Sequence, residues 1–264
     1  MRHPGVARLV VAACRLGIMT MDFAAALVAE NGAFAEALRG ADPATPVPTC
    51  PGWTLKHLLR HVGRGDRWAA QIVGDRLTEP LDPREVRGGK PPDDADGAIE
   101  WLHGGVRSLI EAVEQTGADT AVWTFLGPRP AAWWIRRRLH EVTVHRADAE
   151  LAMGREFRLS ADLAADGLTE WLERVVIQAG EGRVPLAAGQ SLHLHAADGG
   201  EWTLHNDGET LQLAQQHQKS TVAVHGDATS LLLAMTRRIP ADDPRITVFG
   251  EADVWRNWLD HTPF

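Results

Sequence analysis

The chain has 264 residues, enough for one large domain or two modest ones, with the 44% hydrophobic and 23% charged content of an ordinary soluble globular protein. A formal net charge of −8, with no basic stripe interleaved with aromatics, argues against a general affinity for DNA or RNA. Cys14 and Cys50 are too few for a disulfide framework or a cysteine-based zinc site, and no run approaches the roughly 20 apolar residues that span a membrane. A reducing cytoplasm is the simplest compartment. Ten tryptophans, no tyrosine and lysine only at Lys56, Lys90 and Lys219 reflect GC-rich codons and carry no mechanistic weight.

At the start, Arg8 and Arg15 bracket an apolar stretch from Leu9 to Cys14 that is too short for a secretory signal. Met19 and Met21 offer starts just ahead of a well-patterned helix, so residues 1–20 read as a weakly ordered or start-site extension. From Asp22 to about Arg39, apolar residues recur at helical spacing, and the Pro43, Pro46, Pro48 segment ends that helix. Pro51-Gly52-Trp53-Thr54 reads as a turn with Thr54 as N-cap of a second helix carrying Leu58, Leu59 and Val62. Residues 78–95, rich in Pro, Gly and Asp, form a loop. A third helix is expected from Asp96 to Gln115, a fourth from after Pro130 to Met153, and a fifth after Ser160.

Beyond about 180 the period changes to two, in runs such as Leu192-His193-Leu194-His195 and Trp202-Thr203-Leu204, with Asp198-Gly199-Gly200 as a hairpin turn. Strands follow near 211–213, 222–224 and 246–249, with a short helix near 229–235 and a last helix carrying Val254, Trp255, Trp258 and Leu259. Helices first, then a mostly antiparallel sheet with helices beside it, make an α+β chain with domains over 21–180 and 181–264.

Chemistry concentrates in His140-Glu141-Val142-Thr143-Val144-His145-Arg146-Ala147-Asp148 on the fourth helix. Glu141 and His145 are four apart and project from one face, one turn apart. Two ligands leave a divalent metal under-coordinated, and His61 on the second helix is the candidate third. His/His/carboxylate suits zinc or a similar first-row metal and leaves positions open. Asp148 either orients the His145 ring or pairs with a neighbouring arginine. An i, i+4 Glu–His pair also arises by chance as a helix-surface contact worth a few tenths of a kcal/mol. His57 reads as a partly exposed helix histidine. His140 points about 100° away from Glu141. The histidines of the second half, His193, His195, His205, His217 and His225, show no tight ligand spacing and read as structural or surface residues.

The run Val47-Pro48-Thr49-Cys50-Pro51-Gly52-Trp53-Thr54, followed by Leu58-Leu59-Arg60-His61, resembles the N-terminal signature of the mycothiol-dependent maleylpyruvate isomerase family. His140-Glu141, His145-Arg146 and Asp148 resemble its second signature. Leu231-Leu232-Leu233 leading to Arg238 is similar to a weaker motif in its C-terminal domain. The resemblance extends from about residue 21 to the C-terminus. It implies an N-terminal DinB-like four-helix bundle followed by a smaller α/β sterol-carrier-like domain.

It further implies metal ligands at His61, Glu141 and His145, and an arginine contacting an anionic substrate, best matched by Arg238. The family usually has glycine before that arginine; this chain has Arg237, so either arginine is open to the role, or to an ordinary solvated position. The implied cofactors are a divalent metal, zinc by ligand type, and mycothiol as thiol cosubstrate. The implied activity makes mycothiol a thiolate that attacks a small electrophile, giving S-transfer or maleylpyruvate-type cis-trans isomerisation. A metal-dependent hydrolase and a non-catalytic small-ligand module are the competing readings. Expected partners are mycothiol and the electrophile, with no nucleic acid and no membrane, in a monomer or small homo-oligomer. Cys50 reads as structural rather than nucleophilic.

Overall fold

A computed structural model describes residues 21–264, so the expected extension over 1–20 lies outside the described residues. Two compact units divide between Phe157 and Arg158. The change of period near 180 marks where helices give way to strands, whereas the units part earlier. Helix α5 (Ala161–Ala179) packs against elements of the second unit, and its buried face, including Leu168, Trp171 and Leu172, is satisfied there.

The first unit holds α1 (Phe23–Leu38), α2 (Leu55–Gly74), α3 (Ala95–Thr116) and α4 (Trp133–Ala152). Each begins or ends where local chemistry demands. The Asp22 carboxylate accepts from the Ala24 and Ala25 N–H groups at 3.1 and 3.0 Å, and Asp94 accepts from Gly97 at 2.7 Å, satisfying donors that have no helical partner. Thr54 N–H donates to His57 Nδ1 at 3.1 Å, which gives His57 a capping role at the start of α2. α1 packs on α4, α4 on α2, α2 on α3 and α3 on α1, closing a four-helix bundle around Leu27, Phe34, Leu58, Val62, Leu102 and Leu139, all fully buried.

Two glycines let α2 approach its neighbours. A β-carbon at Gly63 would stand 2.2 Å from the Trp101 ring, and one at Gly65 would stand 2.6 Å from the Arg138 guanidinium. The expected loop over 78–95 contains a 3-10 turn at Pro83–Glu85 and is pinned by side chains of α2 and α3. Trp68 Nε1 donates to Leu81 O at 2.8 Å, Trp101 Nε1 to Gly88 O at 2.7 Å, and Arg64 Nε to Gly89 O at 3.0 Å. These bonds satisfy loop carbonyls that no regular structure pairs. Short strands β1 (Ala121–Val122) and β2 (Arg129–Pro130) pair across the loop over 123–128 before α4; nothing in the sequence pattern announces them.

The second unit adds β3 (Ser191–Ala196), β4 (Gly200–Asn206), β5 (Leu211–Ala214), β6 (Val222–Gly226), α6 (Ala228–Met235), β7 (Thr247–Gly250) and α7 (Ala252–His261). The sheet order is β5-β4-β3-β6-β7, antiparallel except for the central β3–β6 pair. Leu192 and Leu194 pair in register with Leu204, Trp202, Val222 and Val224, so one face is continuously apolar and buried. Ser160 stands at the N-cap of α5 in extended conformation, without the side-chain hydrogen bond expected of it.

The end of α6 separates the two arginines. Arg238 N–H reaches back to Leu233 O at 2.7 Å and Arg237 N–H to Ala234 O at 3.0 Å, the pairing that closes a helix on a left-handed residue. That residue is Arg237, with φ 62°. Glycine is the usual occupant, because a β-carbon is strained there. Among the described residues no helix is long and apolar enough to cross a membrane.

Candidate metal centre

Helices α2 and α4 bring His61, Glu141 and His145 together, with one ligand atom from each within 4.8 Å of the others. His61 Nε2 lies 2.9 Å from Glu141 Oε1, and His145 Nε2 lies 3.5 Å from the same oxygen. The two imidazoles meet edge to face with centroids 4.9 Å apart. Trp53, on the turn before α2, packs 4.9 Å from the His61 ring and 6.2 Å from His145. The turn therefore puts an apolar wall beside the donor set. Arg238 lies in the other unit, just past the end of α6 and half-buried. Its guanidinium donates to Thr236 O at 2.6 Å and sits 4.5 Å from the Phe264 ring centroid.

Asp148, fully buried, takes the first of its two roles: its Oδ2 lies 2.8 Å from His145 Nδ1. Its other oxygen accepts from Thr49 Oγ1 at 2.5 Å, and Cys50 Sγ donates to Oδ2 at 3.5 Å. The Thr-Cys-Pro-Gly-Trp turn is thus tied to α4 through one carboxylate, and Cys50 is part of that tie. His145 Nδ1 is engaged by Asp148, and its Nε2 faces the Glu141 carboxylate. A carboxylate behind a ligating imidazole is the arrangement that fixes ring orientation and tautomer in metal sites.

Charges around Glu141 were not legible from the motif. Arg137 Nη2 donates to Glu141 Oε2 at 2.5 Å, and Arg138 Nη1 is 3.8 Å from Oε1. Arg138 in turn donates from Nε to Asp66 Oδ1 at 2.8 Å and from Nη2 to Val62 O at 3.0 Å. The Arg136-Arg137-Arg138 run is visible in the sequence, but nothing in it announces burial. α4 is instead buried nearly all round, so Arg137 and Arg138 are interior.

These partners set the protonation states. Burial opposes the charge on Glu141, yet Arg137, the hydrogen bonds from His145 and His61, and Arg138 hold its carboxyl well below the usual carboxylate range. Burial likewise opposes a charged His145, but its hydrogen bonds with Asp148, Cys50 and Glu141 raise it to about 10. An ion entering the site therefore displaces protons as it binds, because imidazole ligates only when neutral. The donor set fits a divalent first-row ion: two imidazoles and one ionised carboxylate, with one ring already oriented from behind. His140 is buried and outside this group.

Fold and site together define a two-part α+β protein with a His/Glu/His centre in a helical bundle. The family model described as the mycothiol maleylpyruvate isomerase N-terminal domain matches residues 24–150, and the C-terminal domain model of the same family matches 162–257. The chain belongs to the mycothiol maleylpyruvate isomerase family, a family of enzymes. Among solved structures, the crystal structure of the mycothiol-dependent maleylpyruvate isomerase superposes with a TM-score of 0.60 at 17% identity, covering 87% of this chain and 92% of that one. A mutant of the same isomerase superposes with the same TM-score of 0.60, identity of 17% and coverage. At that identity the likeness shows the fold. Comparison with curated proteins finds no match.

Proposed function

We propose that this chain is a metal-dependent enzyme that activates mycothiol as a thiolate for attack on a small electrophile. The observation that carries the reading is the convergence of His61 Nε2 and His145 Nε2 on one oxygen of Glu141, at 2.9 and 3.5 Å. The similar solved structure is named as mycothiol-dependent, which supports the choice of thiol. A divalent ion held by these three residues supplies the positive charge that keeps a thiol ionised at neutral pH.

The chain's own residues prepare the place. Arg137 and Arg138 keep Glu141 anionic, Asp148 aims His145, and Trp53 walls one side of the pair of rings. Addition of the sulfur to a conjugated carbon forms a C–S bond and moves the π electrons onto the neighbouring carbonyl oxygen. Rotation about the resulting single bond, then re-formation of the double bond with loss of the thiolate, isomerises the substrate. Retention of the C–S bond and protonation of the adjacent carbon gives S-transfer instead. Arg238 is assigned to an anionic group of the electrophile. A reducing cytoplasm fits a thiol cosubstrate.

The test is zinc and mycothiol binding by calorimetry, in wild type and His61→Ala. The wild type should bind mycothiol only when loaded with metal, and the variant should lose both one ion and the thiol. Equal mycothiol binding before and after chelation would sink the reading. Turnover of an ester or amide with no thiol present would move the chain to the hydrolases.

A further inference from the structure

The histidines of the second unit read from sequence as scattered, but the sheet collects them. His193 and His195 are two apart on β3 and share the face opposite Leu192 and Leu194. Register places Glu201 of β4 directly across from His195. His217 arrives from the loop after β5, where Thr203 Oγ1 donates to Gln216 O at 2.9 Å and holds the loop over the same face. One ligand atom from each of His193, His195, Glu201 and His217 lies within 4.8 Å of the others.

Glu201 Oε1 already engages two of the rings, His195 Nδ1 at 2.5 Å and His217 Nδ1 at 3.2 Å. Those contacts alone would describe an ordinary charged cluster. His193 is the residue they leave unexplained: it is 2% exposed, and its buried Nε2 has no hydrogen-bond partner. A buried polar nitrogen without a partner is costly, because it has given up water for nothing in return. Its ring meets His217 edge to face, with centroids 4.9 Å apart. Among the described residues no arginine or lysine pairs with Glu201, in contrast to Glu141. His217 is exposed, which leaves a path of entry.

We propose that His193, His195, His217 and Glu201 form a second metal site, which takes a divalent first-row ion of the zinc type. Three imidazoles and one carboxylate complete a four-coordinate set from protein alone. Such a closed set serves structure rather than turnover: the ion ties the loop after β5 to the centre of the sheet. This site is independent of the centre in the helical bundle.

The test loads the full chain with Zn²⁺ alone after chelator treatment, counts metal by atomic emission and follows folding by circular dichroism. His61→Ala should retain one zinc per chain. Adding His217→Ala, at an exposed position, or Glu201→Gln should weaken that zinc by at least about tenfold, since even partners behind a ligand are worth that much. A folded His61→Ala chain that takes up no zinc overturns the site, as does zinc affinity unmoved by both added substitutions. If His61→Ala and wild type instead bind the same single zinc, with affinity that falls in His217→Ala, this site stands and the bundle centre fails.

Discussion

Arg138 Nε donates to Asp66 Oδ1 at 2.8 Å across the α2–α4 contact, and Asp66 is fully buried. The pair sits five residues along α2 from His61 and three along α4 from Glu141, so the two helices that supply the donors are held by an interior charge pair. Arg138→Met would leave the Asp66 carboxylate buried without its cation. Loss of about 3–5 kcal/mol in urea denaturation is expected. The double variant with Asp66→Leu should recover much of it, and a double variant as unstable as the single one would refute this account.

Gly63 and Gly32 are both helical glycines with opposite surroundings. A β-carbon at Gly63 meets the Trp101 ring, whereas at Gly32 nothing lies within 4 Å. Gly63→Ala should cost about 1–3 kcal/mol by overpacking. Gly32→Ala should gain up to about 1 kcal/mol from helix propensity. Thermal melts of the two variants should move in opposite directions.

Asp148 joins Thr49, Cys50 and His145 through one buried carboxylate. Asp148→Asn keeps the shape and removes the charge behind the ring. Zinc affinity at the bundle centre should fall about 10–100-fold. Calorimetry on the metal-free chain measures it, and affinity unchanged within twofold would deny Asp148 that role.

Arg87 grips Asp75 with both nitrogens, at 2.8 and 2.9 Å, and fastens the loop after α2. The hydrogen bond from Arg87 lowers the Asp75 carboxyl below its ordinary 3.8. A depressed carboxylate stabilises the fold above its unfolded pKa, and that stability is lost as pH falls through the folded value. The pair is exposed, so its worth is about 0.2–1 kcal/mol. The melting difference between wild type and Asp75→Asn should be present at pH 6 and shrink below pH 4.

Helix positions were readable because capping and breaking residues act locally: Asp22 caps α1 with its carboxylate, the Pro43, Pro46, Pro48 segment follows that helix, and Thr54 stands at the N-cap of α2. Glu141 and His145 were readable as a pair because both lie on one helix at i, i+4. Asp66, Arg137 and Arg138 were not, since a charged residue on a helix carries no sign that the helix is interior. The His193, His195, Glu201 and His217 group was hidden for another reason. Its members are joined by strand register and a loop, and neither leaves a fixed spacing in the chain. The division between units was also unreadable from periodicity, because α5 has the same pattern whichever unit it packs against.

At the end of α6, the strain at Arg237 bears on how often Arg238 is held in place. A left-handed arginine costs roughly 1–2 kcal/mol that glycine would not. Opening the helix end releases that strain and breaks the backbone hydrogen bonds from Arg237 and Arg238 to Ala234 and Leu233. The open-to-closed ratio is therefore about 5–30 times greater than for a glycine-ended helix. Hydrogen exchange at the Arg238 amide should slow by that factor in Arg237→Gly. The arginine proposed to meet the substrate is thus carried on a catch under tension, one that lets go more readily than a glycine catch would.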